Sequence, residues 1–219
     1  MTRVRGLAAA LVLVLAATSA HAQERGAPGR FDFYVLALSW SPSYCEAEAG
    51  KRGLEEQCKR GRPFAFVVHG LWPQYERGFP RACITPAPWL SESLIRNSLD
   101  LMPARALILH EWREHGTCSG LGPQAYFESV RRARERISVP ERFVHLDAYM
   151  MVSPAEVEDA FLAANPGLTP DMISVTCDNR RLREVRVCLS RDLKFRPCED
   201  VDRRACTIQR VVMPPVRGG

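Results

Sequence analysis

The chain has no apolar run of about 20 residues, so nothing in it is long enough to serve as a bilayer-spanning helix. It has no internal repeat and no low-complexity tract, which sets aside solenoid, collagenous and disordered architectures. No two cysteines stand in C-x-x-C spacing, so zinc ribbons and thioredoxin-like redox sites drop out as well. Lysine is scarce and the positive charge is carried almost wholly by arginine. Histidine is scarcer than either acid, with 5 in 219 residues.

What remains is an ordinary globular composition, 46% hydrophobic and 25% charged with 14 Gly and 16 Pro, in a length that suits one domain with a full core. Residues 1–22 read as a secretory signal. Arg3 and Arg5 are basic, residues 7–17 are apolar, and Ala20-His21-Ala22 is a small-x-small cleavage site. The mature chain is expected to begin near Gln23, to form a single domain over 23–219, and to be periplasmic or secreted, with no membrane association after cleavage. Losing the two leader arginines lowers the formal net charge from +5 to about +3, too little to name a partner. Clustered arginines (Arg131, Arg132, Arg134, Arg136; Arg180, Arg181, Arg183, Arg186; Arg203, Arg204) are expected to be solvated faces that attract polyanions locally at most. Eight cysteines in an exported chain imply four disulfides.

Residues 31–40 form an aromatic and aliphatic run, as in a strand buried on both faces, and Pro42 ends it. Residues 64–68 are a second strand, and Gly70 places His69 where that strand opens into a turn. Residues 104–115 and 124–136 read as helices, the first closed by Gly116 in the left-handed position. Ser153, Pro154 and Glu156 spell a capping box for a third helix, stopped by Asn165-Pro166-Gly167. Residues 172–177 and 182–189 form a hairpin around Asp178-Asn179. Cys177 then pairs near Leu182, and Cys188 lies about 20 Å further along the strand at ~3.3 Å per residue. A Cys177–Cys188 bridge is therefore excluded, and a nested arrangement, Cys188–Cys198 inside Cys177–Cys206, avoids the span. The element order predicts an α+β fold, a central mostly antiparallel sheet flanked by helices.

Outside the leader there are four histidines: His69, His110, His115 and His145. Three fall in two dense segments, one ending His69-Gly70-Leu71-Trp72-Pro73 and the other His110-Glu111-Trp112-Arg113-Glu114-His115-Gly116-Thr117-Cys118. At about 100° per residue, a helix through the second segment puts His110, Glu114, Glu111 and His115 on one face and turns Trp112 to the core. The histidines are five apart rather than the four of H-E-x-x-H, so they diverge by about 140° and a zinc-protease site is excluded.

The two segments together resemble the active-site blocks of the ribonuclease T2 family, H-G-L-W-P and H-E-W-x-K-H-G-T-C. The first matches at every position and the second at eight of nine. Residues 33–45 resemble the family's first strand and 177–198 its C-terminal hairpin, so the likeness covers about residues 31–206. It implies cleavage of RNA, without metal or cofactor, by attack of the ribose 2′-hydroxyl on the adjacent phosphate to give a 2′,3′-cyclic product, DNA being inert. It implies His115 as general base, His69 as general acid, His110 in phosphate binding and Glu111 supporting the transition state or orienting a histidine. Trp72 and Pro73 would meet a base, Trp72 otherwise being a core residue, and His145 matches no block. The implied disulfides are Cys83–Cys118, Cys177–Cys206 and Cys188–Cys198, leaving Cys45 with Cys58.

One position departs from the pattern. Glu114 stands where the family has lysine, and a carboxylate would oppose negative charge building up on phosphorus unless protonated or turned away. Arg113 is the neighbouring cation but lies about 100° around the helix. The expected function is a monomeric endoribonuclease of broad base preference. The alternatives are a weakly active RNA-binding homologue, motivated by Glu114, and a disulfide-stapled interaction protein, which would need the histidine spacing to be accidental.

Overall fold

The computed structural model describes residues 26–49, 55–59 and 62–216; the expected leader lies outside them. In chain order, β1 (Phe33–Trp40), α1 (Ser41–Ala47) and α2 (Glu55–Cys58) lead to β2 (Phe66–Gln74). Then come α3 (Glu92–Ser98), α4 (Arg105–Glu114), α5 (Pro123–Glu135), α6 (Glu141–Val144), β3 (Met150–Val152) and α7 (Pro154–Ala164). The chain continues through β4 (Ile173–Cys177), β5 (Leu182–Leu189), α8 (Glu199–Asp202) and β6 (Val211–Met213). The four-stranded sheet runs β2-β1-β5-β4, antiparallel throughout, with β3 and β6 paired separately. This is the expected α+β architecture. Among the described residues no helix is long and apolar enough to cross a membrane.

β1 is central because both of its faces are apolar. Tyr34, Leu36, Leu38 and Trp40 join the main core with Trp112, Tyr126, Val130 and Phe161. Phe33 and Val35, on the other face, pack with Cys188, Cys198 and Val201. The β4–β5 hairpin has the expected register, Cys177 opposite Leu182. All four disulfides pair as the family likeness implies: Cys45–Cys58, Cys83–Cys118, Cys177–Cys206 and Cys188–Cys198. The capping box at Ser153 and Glu156 opens α7.

Two local expectations change. The second strand does not end before His69; β2 runs on through Trp72 and Pro73. Proline is tolerated there because β2 is the sheet edge, where no outer neighbour needs its missing N–H. Gly116, for its part, is not the left-handed residue. α4 ends at Glu114, a 3₁₀ turn Gly116–Ser119 follows, and Gly120 takes φ +75°. Gly116 is needed for space instead, since a Cβ there would stand 2.4 Å from Trp112 and 2.9 Å from Tyr126.

The arginine clusters are largely charge-balanced. Arg131 pairs with Asp100, Arg181 and Arg183 with Asp178, and Arg203 and Arg204 with Asp200.

Candidate active site

The site begins with a β-bulge. Val68 faces Leu38 and Gly70 faces Ala37, so His69 is an extra residue with no partner in β1. In a regular strand, residues three apart point to opposite faces. The inserted residue removes that conflict. Val68 and Leu71 both reach the core, and His69 and Trp72 both come to the other side. That side is completed by register: Trp72 lies opposite Val35, while Arg186 and Glu184 on β5 lie opposite Ala37 and Ser39. Small residues at positions 37 and 39 leave room above them.

His69 sits between two carboxyl groups. Its Nδ1 is 2.5 Å from Glu184 Oε1, and its Nε2 is 3.5 Å from Glu111 Oε1. Arg186 donates from Nε (2.9 Å) and Nη2 (2.8 Å) to Glu184 Oε2. Glu111, brought in from α4 and 1% exposed, accepts from Trp72 Nε1 at 2.7 Å. The Trp72 ring is then wedged edge-on to His69 (5.2 Å), tilted against His115 (5.4 Å) and capped by the Arg186 guanidinium (5.1 Å). Trp72 is thus not enclosed in the main core: it is partly buried, packed against the smaller cluster of Phe33, Val35 and Val201, with part of its ring left open.

His115 follows the last residue of α4, where the backbone has already left helical geometry at φ −122°. Its Nδ1 is buried with no hydrogen-bond partner, which leaves Nε2 for anything that enters. Two cavities flank this cluster. One, of about 250 Å³, is lined by Trp72, Phe79, Arg81, His115, Arg186 and Arg204. The other, of about 290 Å³, is lined by Tyr44, His69, His110, Arg183 and Glu184.

The electrostatics separate the two imidazoles. Burial, with His69, His110 and Arg81 adding positive charge nearby, pushes His115 down to about 3. Burial alone would also lower His69, but the Glu184 hydrogen bond and the charges of Glu184 and Glu111 outweigh it and raise His69 above its ordinary value. Burial would raise Glu184, yet His69 and Arg186 together hold it near 2. Burial pushes Glu111 up to about 7, against the lowering influence of His69 and Trp72.

The structure thus brings together His69, Trp72, Glu111 and His115, with His110 exposed on α4 beside His69. Glu114 does not join that face: its Oε2 accepts from Arg81 Nη2 (2.9 Å) and Nε (3.2 Å). Arg113 is exposed and lines neither cavity, and Pro73 is buried in β2 opposite Tyr34. His145 is exposed after α6. Four residues of the site escaped the sequence reading: Phe79, Arg81, Glu184 and Arg186. The alternation along β5 already put Glu184 and Arg186 on one face, and Arg81 stands two residues from Cys83, whose partner closes the second histidine segment.

The sequence model described as the Ribonuclease T2 family matches residues 31–198. A protein named "Ribonuclease" from Aeromonas hydrophila is 40% identical over 124 residues, 57% of this chain and 54% of that protein. A "Probable ribonuclease" from Haemophilus influenzae is 32% identical over 148 residues, 61% of this chain and again 54% of that protein. The chain therefore spans about half the length of these two relatives. Among solved structures, an RNase-related protein from Calystegia sepium superposes with a TM-score of 0.68 at 19% identity, covering 85% of this chain and 98% of that one, a likeness of fold.

Proposed function

The chain belongs to the ribonuclease T2 family, and from that premise we propose that it is an endoribonuclease that cleaves single-stranded RNA by transphosphorylation, without metal or cofactor and with low base specificity. The observation that carries the reading is a pair of imidazoles with opposite proton preference, His115 and His69, on two sides of one indole beside a buried carboxyl. General acid–base catalysis wants one neutral and one protonated group at the same pH, and burial of one against ion pairing of the other supplies that difference.

In the proposed reaction, neutral His115 takes the proton of the ribose 2′-hydroxyl as its oxygen bonds to phosphorus. The bond from phosphorus to the 5′-oxygen breaks, and the His69 imidazolium gives its proton to that oxygen. The products are a 2′,3′-cyclic phosphate and a free 5′-hydroxyl. Glu111, held near 7, is protonated under acidic conditions. It then adds no negative charge beside the phosphate and can donate to a non-bridging oxygen. His110 and Arg183 line the second cavity, which supports assigning them to a neighbouring phosphate of the RNA. The RNA-binding alternative drew on Glu114, and the pairing of that carboxylate with Arg81 supports turnover instead. The expected leader and the four disulfides support a secreted or periplasmic location.

Purified, oxidised protein incubated in excess EDTA with single-stranded RNA and matched DNA should leave cyclic-phosphate ends on the RNA and intact DNA. Folded protein that cuts no RNA from pH 4 to 8 would move the reading to an RNA-binding homologue.

Gly70 offers a second check. A Cβ there would lie 2.1 Å from Glu111 Oε2 and 2.3 Å from Trp72 Nε1, so no other residue fits beneath that hydrogen bond. Gly70→Ala should displace both side chains and cost about 10²-fold in RNA turnover, the scale expected for a ~1 Å misplacement of catalytic groups. Circular dichroism of the variant should remain that of the parent.

A further inference from the structure

The proposed reaction concentrates negative charge on phosphorus, yet the α4 position next to His115 carries Glu114. The structure pairs that carboxylate with a cation. Glu114 Oε2 takes both Nη2 and Nε of Arg81, and one residue on, the Ala82 N–H donates to the Glu114 backbone carbonyl at 2.9 Å. Two residues beyond Arg81, Cys83 is bridged to Cys118 just past the end of α4. The Arg81 loop is thus fastened to the end of α4 by a side-chain pair, a backbone hydrogen bond and a disulfide. Arg81 lines the same cavity as His115, its side chain 52% exposed.

The other two guanidiniums of that cavity have different duties. Arg186 is spent on Glu184 and lies over Trp72, and Arg204 is engaged by Asp200. Among the described residues, Arg81 donates only from Nε and Nη2, both to Glu114 Oε2, so its other N–H donors can meet phosphate oxygens in the planar fork that suits them. A guanidinium can also reach the cavity from a loop, whereas a lysine four residues along α4 from His110 would reach it from the helix itself.

Resting on the endoribonuclease reading above, we propose that Arg81 is the phosphate-contacting cation of this site and that Glu114 is a positioning residue that holds its guanidinium beside His115. The substitution at position 114 then moves the positive charge to a neighbouring loop without removing it.

The test is a four-variant comparison of RNA cleavage. Arg81→Ala should lower kcat about 100-fold with a smaller change in KM, the scale seen when one donor to a developing oxyanion is removed. Arg81→Lys should retain part of that loss in activity. Glu114→Gln should weaken cleavage about 10-fold, because a neutral amide holds the guanidinium less firmly. The double variant Arg81→Ala with Glu114→Lys should recover most of the activity by putting an ammonium on the helix, a rescue that a merely structural ion pair would not give. Arg81→Ala at the parental rate, or a double variant no faster than Arg81→Ala, would overturn the proposal. If the parent cuts no RNA, the endoribonuclease reading fails by itself. Calorimetric titration with inorganic phosphate then decides about Arg81: at least about 10-fold weaker binding in Arg81→Ala supports it, and equal binding rejects it.

Discussion

His115→Ala and His69→Ala should each lower RNA turnover by about 10²–10⁴-fold, the range that a positioned general acid or base contributes. Both should fold. His115 Nδ1 makes no hydrogen bond that the substitution would break. Loss of His69 leaves Glu184 still paired with Arg186 through two hydrogen bonds. The two losses should not add, because acid and base act in one concerted transfer and removing either leaves the other little to do. The double variant should therefore be about as slow as the slower single one. A His69→Ala or His115→Ala protein that keeps near-parental turnover, checked by cyclic-phosphate release, would end the assignment of these two residues as acid and base.

The second large effect is on pH dependence. In the proposed reaction His69 must be protonated to act as acid, so the rate should fall as pH rises through its raised pKa. In that reaction His115 must be neutral to act as base, so the rate should fall as pH drops through about 3. Between these limits the profile should be broad and level. Its alkaline side belongs to the His69–Glu111–Glu184 cluster jointly, since the three groups share protons and charge. Glu184→Gln keeps an acceptor for His69 and removes the charge. The alkaline limb should then move to lower pH and the acid limb should stay, with activity above the new limb falling about tenfold per pH unit. An unmoved alkaline limb would show that Glu184 does not hold His69 protonated.

The same pair predicts a stability signature. Glu184, held near 2 against an ordinary 4.5, contributes fully above about 4.5 and loses its contribution as pH falls through 2. His69, raised above 6.5, contributes fully below about 6.5 and loses its contribution as pH rises through the raised value. The difference in melting temperature between parent and Glu184→Gln should thus be greatest between about pH 4.5 and 6.5.

Much of this protein was determined by local sequence. The capping box at Ser153 needs only a hydroxyl and a carboxylate three residues apart. The β4–β5 hairpin needs two alternating runs and a short polar turn at Asp178-Asn179, which the structure closes as a four-residue connection, 178–181, with the Asp178 N–H on the Arg181 carbonyl. β1 reads as two-sided because its apolar residues ignore alternation, and it became one of the two strands with partners on both sides. The two histidine segments carried the family and most of the candidate site, since within each segment residues close in sequence are bound to be close in space.

Tertiary structure decided what depends on distant partners. A bulge is defined by the strand opposite, so the HGLWP segment alone could not show whether His69 ends β2 or is an inserted residue within it. Glu184 lies 115 positions from His69, and only the β2-β1-β5 order makes them neighbours. The meaning of Glu114 changed for the same reason. On a helical projection it shares a face with His110 and Glu111, but a carboxylate follows its strongest available cation, and Arg81 is delivered by a loop that a disulfide closes onto the end of the helix. Charge at a site is set by everything that packs against it, and one element's periodicity reports only that element's share.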